Sequence, residues 1–291
     1  MAKKKRKKKK SINWSVRFLW IFFWITILLL FAYYFRLEIK SALSTFSTKI
    51  ERLGEANRKP DIRYKNLELP LPLEDRAEQI IKHEGYTVSY NKNWRLPNWV
   101  AYELIRDELR GTVSRTDKFV VDPYVNGVSA TNADYHRSGF DRGHMAPAAD
   151  MTWSETAMKE SFYFSNMCPQ NPGLNRGAWK DLEESIRKWV KKDSAIAIVC
   201  GPLVDKRDTT IGRNEVKIPH AFFKVIVSPY VTTPRGIGFV FKNEKEDAPL
   251  SAYVVSIDSV EALTGMDFFS ELPDELENRL ESQNNIFDWK L

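Results

Sequence analysis

Residues 140–150 read FDRGHMAPAAD, and residues 165–185 read SNMCPQNPGLNRGAWKDLEES. The first stretch places an arginine, a glycine and a histidine in succession and ends in small residues, which let another molecule approach the backbone closely. The second stretch runs through a Pro-Gly turn into a segment with helical character. The two stretches together are therefore candidates for one chemical site.

The second stretch predicts a helix that carries Asn175, Trp179 and Glu183 at positions i, i+4 and i+8. On one straight helix Asn175 and Glu183 would lie about 12 Å apart along the axis and about 80° apart around it. Both side chains could not easily be direct ligands of one ion. If both serve an ion, we expect Glu183 to act through bound water.

The residue types in these stretches suit the hydrolysis of a phosphodiester. A single neutral amide ligand with several waters and a nearby carboxylate is typical of Mg²⁺, which keeps much of its hydration shell. A histidine can take a proton from water near neutral pH. An arginine offers a planar pair of donors to phosphate oxygens. Base, arginine and hydrated ion together provide what attack on a phosphodiester requires.

The DRGH motif at 141–144, SNMCPQNPGLNRGAWKDLE at 165–183 and IVCGPL at 198–203 resemble the DNA/RNA non-specific endonucleases. This family belongs to the ββα-metal class and includes endonuclease G and secreted bacterial nucleases. The resemblance extends from about residue 83 to about residue 270. It implies a strand-strand-helix site and DNA and RNA substrates that are cut without strong sequence preference.

The resemblance also implies a role for each matched residue. His144 matches the general base, Asn175 the direct ligand of Mg²⁺ (with Mn²⁺ as an alternative ion), and Glu183 the residue that holds water of the ion's hydration shell. The other matched positions are Arg142 of the motif, Arg115 as a second phosphate-contacting arginine, Asn166 as a polar neighbour and Asp141 in an orienting role.

Hydrophobic patterning predicts strands at 86–91, 99–104, 195–204, 220–228, 235–243 and 251–257, and helices at 154–160, 175–192 and 273–283. Because strand follows strand more often than strand follows helix, we expect an α+β domain with a largely antiparallel central sheet. Cys168 and Cys200 could pair in an exported domain or remain free as small buried side chains.

The N-terminal region predicts a membrane anchor. Eight consecutive basic residues at 3–10 precede 18 uncharged residues between Arg17 and Arg36, a length close to that of the hydrocarbon core of a bilayer. The predicted organisation is a basic cytoplasmic tail at 1–13, a transmembrane helix at 14–35, a stalk at 36–72 and the nuclease domain at 73–291. This arrangement predicts a single-pass protein of the cell membrane, in contact with lipid, with its catalytic domain outside the cytoplasm. A cleavable signal peptide is the alternative.

The charge distribution limits how nucleic acid could bind. The whole chain has a formal net charge of +6, but residues 61–291 hold 29 Lys and Arg against 35 Asp and Glu, a net charge of −6. A groove for a polyanion would therefore have to be a local basic patch. Two other functions are compatible with the motifs: an inactive nuclease domain that only binds DNA, and a hydrolase of smaller phosphodiesters. The intact His144, Asn175 and Glu183 disfavour the first.

Overall fold

The computed structural model describes residues 23–28, 31, 34–36, 64–245 and 247–289. The chain divides into two units, Met1–Arg58 and Lys59–Leu291. In the second unit the fold is mixed α/β and is built around an antiparallel sheet of seven strands in the order β1-β2-β3-β6-β9-β10-β11. The strands are β1 Gln79–Lys82, β2 Thr87–Asn91, β3 Leu96–Ile105, β4 Asp141–His144, β5 Met167–Gln170, β6 Ala195–Leu203, β7 Thr210–Ile211, β8 Val216–Lys217, β9 Ala221–Ser228, β10 Arg235–Lys242 and β11 Val254–Val255.

Six α-helices lie between residues 132 and 281: α1 Asn132–Tyr135, α2 Glu155–Glu160, α3 Pro172–Arg176, α4 Ala178–Asp193, α5 Ile257–Thr264 and α6 Asp274–Glu281. The strands β4 and β5 form a separate antiparallel pair, and β7 pairs with β8. The predicted α+β class with a largely antiparallel sheet is confirmed.

The central sheet is covered on both faces, which explains why its middle strands are largely apolar. One face packs against Trp179, Leu182 and Ile186 of α4. The opposite face packs against Val260 of α5 and Leu280 of α6. All residues of β9 are buried, as are all but the last of β6. A strand with alternating apolar and polar residues would bury its polar side chains in one of these two layers, which costs free energy. Cys168 and Cys200 are both free and buried.

The segment 251–257 was predicted as a strand, and most of that prediction is wrong. Only Val254–Val255 pairs with β10, and α5 begins at Ile257. The Ser256 hydroxyl accepts a hydrogen bond from the Ser259 backbone N–H at 3.1 Å, which caps the helix. Gly265 ends the helix in the left-handed conformation, with φ 69°. Ser256 and Gly265 are typical helix-cap residues and could have indicated this helix in the sequence. The apolar residues at 251–257 were interpreted as a strand instead.

The helix predicted to begin at Asn175 is two helices. At Gly177 the backbone has φ −106° and ψ −118°, which lie outside the helical region, so α3 ends at Arg176 and α4 begins at Ala178. Asn175 and Glu183 are therefore on different helices. The predicted separation along a single straight axis does not apply to them.

The predicted single-pass location in the cell membrane is wrong, and the lipid partner predicted with it is not supported. Within the described residues, no helix combines the length and the apolar character that a crossing of the bilayer needs. Of the span predicted at 14–35, residues 23–28, 31, 34 and 35 are described, and they are helical and exposed. The predicted basic tail at 1–13 and most of the predicted stalk at 36–72 lie outside the described residues. Leu67, near the C-terminal end of the predicted stalk, is buried in the same hydrophobic cluster as residues of the sheet.

Candidate active site

The strand pair β4–β5 carries the DRGH motif. In its register Gly143 lies opposite Cys168, and His144 lies opposite Met167. A Cβ atom at Gly143 would overlap the side chain of Gln170, so only glycine fits this position without a shift of its neighbour. The glycine of the motif therefore allows the close packing that sets where His144 emerges from the strand.

The His144 ring lies against two phenylalanines. Its centroid is 5.0 Å from that of Phe162, with the rings perpendicular, and 5.6 Å from that of Phe119. Its backbone oxygen accepts a hydrogen bond from Trp179 Nε1 at 3.2 Å, which ties β4 to the first turn of α4. The ring atom Nε2 is buried and has no hydrogen-bond partner among the described residues.

Burial and two neighbouring cations keep His144 neutral. Burial lowers the pKa of the imidazole to about 3; the charges of Arg115 and Arg142 act in the same direction, and that of Asp117 opposes them. A neutral imidazole has an unprotonated nitrogen that can accept a proton. The site therefore holds the residue in the form that a general base needs.

Arg115 and Arg142 flank this aromatic layer. The Arg142 guanidinium lies 4.3 Å from the centre of the Phe119 ring, and its Nη1 donates to Asn132 Oδ1 at 2.9 Å. The Arg115 guanidinium lies 4.9 Å from the centre of the Phe162 ring. Both contacts have the geometry of cation–π pairs. Each arginine is thus held over one of the two rings that contact His144.

Asn175 is oriented by the first residue of the motif. Its Nδ2 donates to Asp141 Oδ2 at 2.9 Å, and Asp141 also accepts two hydrogen bonds from Arg176, at 2.7 and 2.8 Å. Burial raises the pKa of Asp141, but these hydrogen bonds outweigh it and leave the pKa below its ordinary value. The Asp141 carboxylate thus binds the nitrogen of the Asn175 amide. The carbonyl oxygen of this amide remains available for another partner, and an amide oxygen is a ligand that Mg²⁺ binds.

Glu183 lies on α4 beside a group of buried charges that the sequence analysis missed. Burial raises the pKa of Glu183 to about 7; the charge of Lys224 lowers it and that of Asp150 raises it. Trp179, which donates to His144, also contributes by a hydrogen bond that lowers this pKa. The carboxyl group is therefore sensitive to any cation placed nearby.

The buried charges themselves come from three parts of the chain. Asp150 accepts hydrogen bonds from Arg187 Nη1 at 2.8 Å and from Tyr102 Oη at 3.0 Å. Lys224 of β9 is fully buried, its Nζ has no hydrogen-bond partner among the described residues, and it lies 4.3 Å from the centre of the Trp179 ring. A lysine inside the otherwise apolar run HAFFKVIVS was the signal that could have indicated it.

Asn166 is fully buried, and its amide is bonded to the backbone. Its Oδ1 accepts from the Ala146 N–H at 2.9 Å, and its Nδ2 donates to the carbonyl oxygens of Ala146 and Ser161 at 2.9 and 2.8 Å. The side chain thus fixes the segment that follows His144. This arrangement indicates that Asn166 supports the site by holding the backbone in place.

A polar cleft of about 560 Å³ collects several of the predicted residues. Its walls include Arg115, Asp141, Arg142 and Asn175, and also Arg137 and Arg176. Four arginines against one aspartate make it a local basic patch in an otherwise acidic part of the chain. His144 and Glu183 do not line it directly. A larger cavity of about 720 Å³ around Arg76, Trp94 and His220 contains none of the predicted site residues.

Residues 70–275 match the family model for DNA/RNA non-specific endonucleases. The chain belongs to the DNA/RNA non-specific endonuclease family. It is accordingly a nucleic-acid-hydrolysing enzyme of a metal-dependent family, and the resemblance predicted from the motifs is confirmed.

Two curated relatives illustrate the similarity. The chain is 36% identical over 213 residues to Nuclease C1 of Cunninghamella echinulata var. echinulata, a match that covers 67% of this chain and 84% of the relative. It is 36% identical over 205 residues to human mitochondrial Endonuclease G, covering 65% of this chain and 69% of the relative. The name of the second relative assigns that protein to mitochondria, which also differs from the predicted cell-membrane location.

A solved structure gives the same result for the fold. The chain resembles a protein in the structure described as "Crystal structure of the EndoG/EndoGI complex: Mechanism of EndoG inhibition", with a TM-score of 0.64 and 32% sequence identity. The match covers 68% of this chain and 89% of that one.

Proposed function

We propose that this nuclease hydrolyses phosphodiester bonds of DNA and RNA with Mg²⁺ as its ion and His144 as its general base. The observation that carries the proposal is the neutral imidazole of His144 beside two guanidiniums at a basic cleft. The catalytic domain in this proposal is residues 73–291.

His144 would take a proton from the attacking water. Because Nε2 is buried, we assign the proton transfer to Nδ1. A phosphate bound near Arg115 and Arg142 would offset the two positive charges that lower the pKa of His144. Substrate binding would thus raise the pKa of the imidazole and make it a stronger base when water must be activated.

Arg115 and Arg142 would bind the phosphate that is cut. A guanidinium can donate two parallel hydrogen bonds to phosphate oxygens. The negative charge on these oxygens increases as water attacks, so the same donors hold the transition state more tightly than the substrate.

The residues present fit a hydrated divalent ion. The Asn175 carbonyl oxygen is left available by the bond from its amide nitrogen to Asp141, and the Glu183 carboxyl group has a pKa that a nearby cation would lower. Asn175 would hold the ion directly and Glu183 through water, with Mn²⁺ as an alternative ion. When bound, the ion supplies a positive charge that stabilises the leaving oxygen. Asp141 would orient Asn175, and Asn166 would hold the backbone after His144.

The test is digestion of supercoiled plasmid and of RNA by the full chain, with Mg²⁺ and then with excess EDTA. We expect cutting of both substrates with Mg²⁺ and none with EDTA. His144→Ala should lower the rate by about 10²–10⁴-fold, because only the base is lost. His220→Ala, a change at an exposed histidine outside the cleft, is the matched control and should retain the rate. Near-native activity of His144→Ala would overturn the proposed role.

A substrate comparison separates the alternatives. An inactive DNA-binding domain would shift plasmid DNA in a gel and leave it uncut at every Mg²⁺ concentration. A hydrolase of small phosphodiesters would act on chromogenic diesters and leave plasmid and RNA intact. The proposal requires cutting of the polymers.

A further inference from the structure

Three carboxylates meet on the face of the sheet opposite to α4. Asp258 and Glu261 lie on α5, and Glu281 is the last residue of α6. One carboxylate oxygen from each residue lies within 4.8 Å of one from each of the other two. A calcium ion binds oxygen at about 2.4 Å, so oxygens on opposite sides of one ion are up to about 4.8 Å apart. The three side chains are close enough to share a single ion.

Glu281 is the residue that distinguishes this group from an ordinary acidic surface. It is 7% exposed, and its Oε1 is buried without a hydrogen-bond partner among the described residues. A buried carboxylate oxygen without a donor is costly in free energy unless a cation or a proton compensates it. The oxygen therefore indicates a missing positive partner at this position.

The charged groups that act most strongly on Glu281 increase the need for such a partner. Burial, followed by the charges of Glu261 and Glu277, raises the pKa of Glu281 to about 8. Burial also raises the pKa of Glu261, although its Oε1 accepts a hydrogen bond from the Phe268 N–H at 2.9 Å. The largest influences on the two pKa values include no positively charged side chain.

We propose that Asp258, Glu261 and Glu281 form a calcium site that joins α5 to α6. Ca²⁺ suits the group because it takes only oxygen ligands, tolerates irregular geometry and accepts oxygens farther apart than Mg²⁺ does. Asp258 is exposed and Glu281 is buried, so one side of the ion would face solvent and keep water ligands. Its role is structural: it neutralises the carboxylates and fixes two helices against β10, away from the cleft.

The experiment is thermal unfolding of the full chain, first in EDTA and then with an excess of Ca²⁺ or of Mg²⁺. An ion at about fifty times its dissociation constant should raise Tm by about 5–9 °C. We expect this rise with Ca²⁺ and a smaller one with Mg²⁺. In EDTA at neutral pH the folded chain must protonate Glu281, whereas the amide of Glu281→Gln is neutral in both states, so this variant should raise Tm. The same variant should abolish the further rise with Ca²⁺.

Two variants make the result specific. Glu277→Gln removes an acidic side chain one turn earlier on α6, outside the three ligands, and should keep the Ca²⁺-dependent rise. Asn175→Ala removes the proposed ligand of the catalytic ion and should also keep it. The proposal is overturned if Glu281→Gln retains the rise, if Asn175→Ala loses it, or if Ca²⁺ has no effect on the unmodified chain. A rise in Tm on acidification from pH 8 to pH 6 with no effect of Ca²⁺ would identify a proton as the partner and overturn the calcium site.

Discussion

The neutral state of His144 can be changed in a predictable direction through its charged neighbours. At pH 5 a histidine with the ordinary pKa of 6.5 is about 97% protonated, whereas one with a pKa of about 3 is about 1% protonated. After burial, the charge of Arg115 is the largest influence that lowers this pKa. Arg115→Ala should therefore raise the pKa of His144, and Asp117→Asn, which removes the opposing negative charge, should lower it further.

The assay is a histidine-selective ¹³C NMR titration of the metal-free full chain between pH 8 and pH 4, with His144→Asn used to assign the resonance. We expect the His144 signal of the unmodified chain to stay at its neutral position throughout this range. In Arg115→Ala the signal should begin to move at the acidic end, and in Asp117→Asn it should remain fixed. The measurement needs no substrate, so a loss of phosphate binding in Arg115→Ala does not affect it.

Either of two results would refute this reasoning. A His144 signal that titrates with a midpoint between pH 6 and pH 7 in the unmodified chain would mean that burial does not keep the imidazole neutral. Equal and parallel shifts in Arg115→Ala and Asp117→Asn would mean that local rearrangement, rather than charge, sets the pKa.

Three further predictions concern the ion, the buried lysine and the buried asparagine. Asn175→Ala should need far more Mg²⁺ than the unmodified chain for its half-maximal rate. Glu183→Gln should raise the Mg²⁺ concentration for the half-maximal rate by a smaller factor, about 10–100-fold, because Glu183 acts on the ion through water. Equal shifts in the two variants would mean that both side chains bind the ion directly. Lys224→Met should raise the pKa of Glu183 further above about 7 and move the acidic limb of the rate profile to higher pH, whereas an unchanged limb would exclude this coupling. Asn166→Ala leaves buried backbone groups of Ala146 unpaired and should lower the free energy of unfolding by about 3 kcal/mol in chemical denaturation; unchanged stability would contradict its support of the backbone.

The stability of the fold should also depend on pH through His144. The folded state protonates this residue at about pH 3 and the unfolded state near pH 6.5. Its contribution to stability is therefore present above about pH 6.5 and is lost as the pH falls towards 3. His144→Asn should flatten this part of the stability profile measured by urea denaturation, and an identical profile in the variant would contradict the shift.

The meeting of several candidate residues at one cleft could be predicted because they belong to a few short segments of the sequence. The DRGH motif and Asn175 belong to segments whose spacing is read directly from the chain, and Gly143 is explained by its contact with Gln170. What could not be predicted was the break at Gly177, since glycine also occurs inside helices and the apolar spacing continues across it. Lys224 could not be placed either, because its neighbours in space come from α4 and from residues far away in the sequence.

The fold was predictable where packing and pattern agree. Strands β6 and β9 are largely apolar because both faces of the sheet are covered, and they were identified correctly. The same rule failed at 251–257, where only Val254–Val255 pair with β10 and α5 already begins at Ile257. The N-terminal prediction rested on the length of an uncharged segment and on the basic residues before it, which do not record what the segment contacts.

In the proposed mechanism, the position of Arg115 over Phe162 and of Arg142 over Phe119 affects the thermodynamics of substrate binding. An arginine that moves freely in solvent loses about 2 kcal/mol of rotamer entropy when it is immobilised on a ligand. Here the rings have already restricted both side chains before any phosphate arrives, so less of that entropy remains to be lost on binding. A lysine at either position would keep the charge but not the planar stacking, and the free enzyme would then have to order a flexible chain each time it engaged a new stretch of polymer.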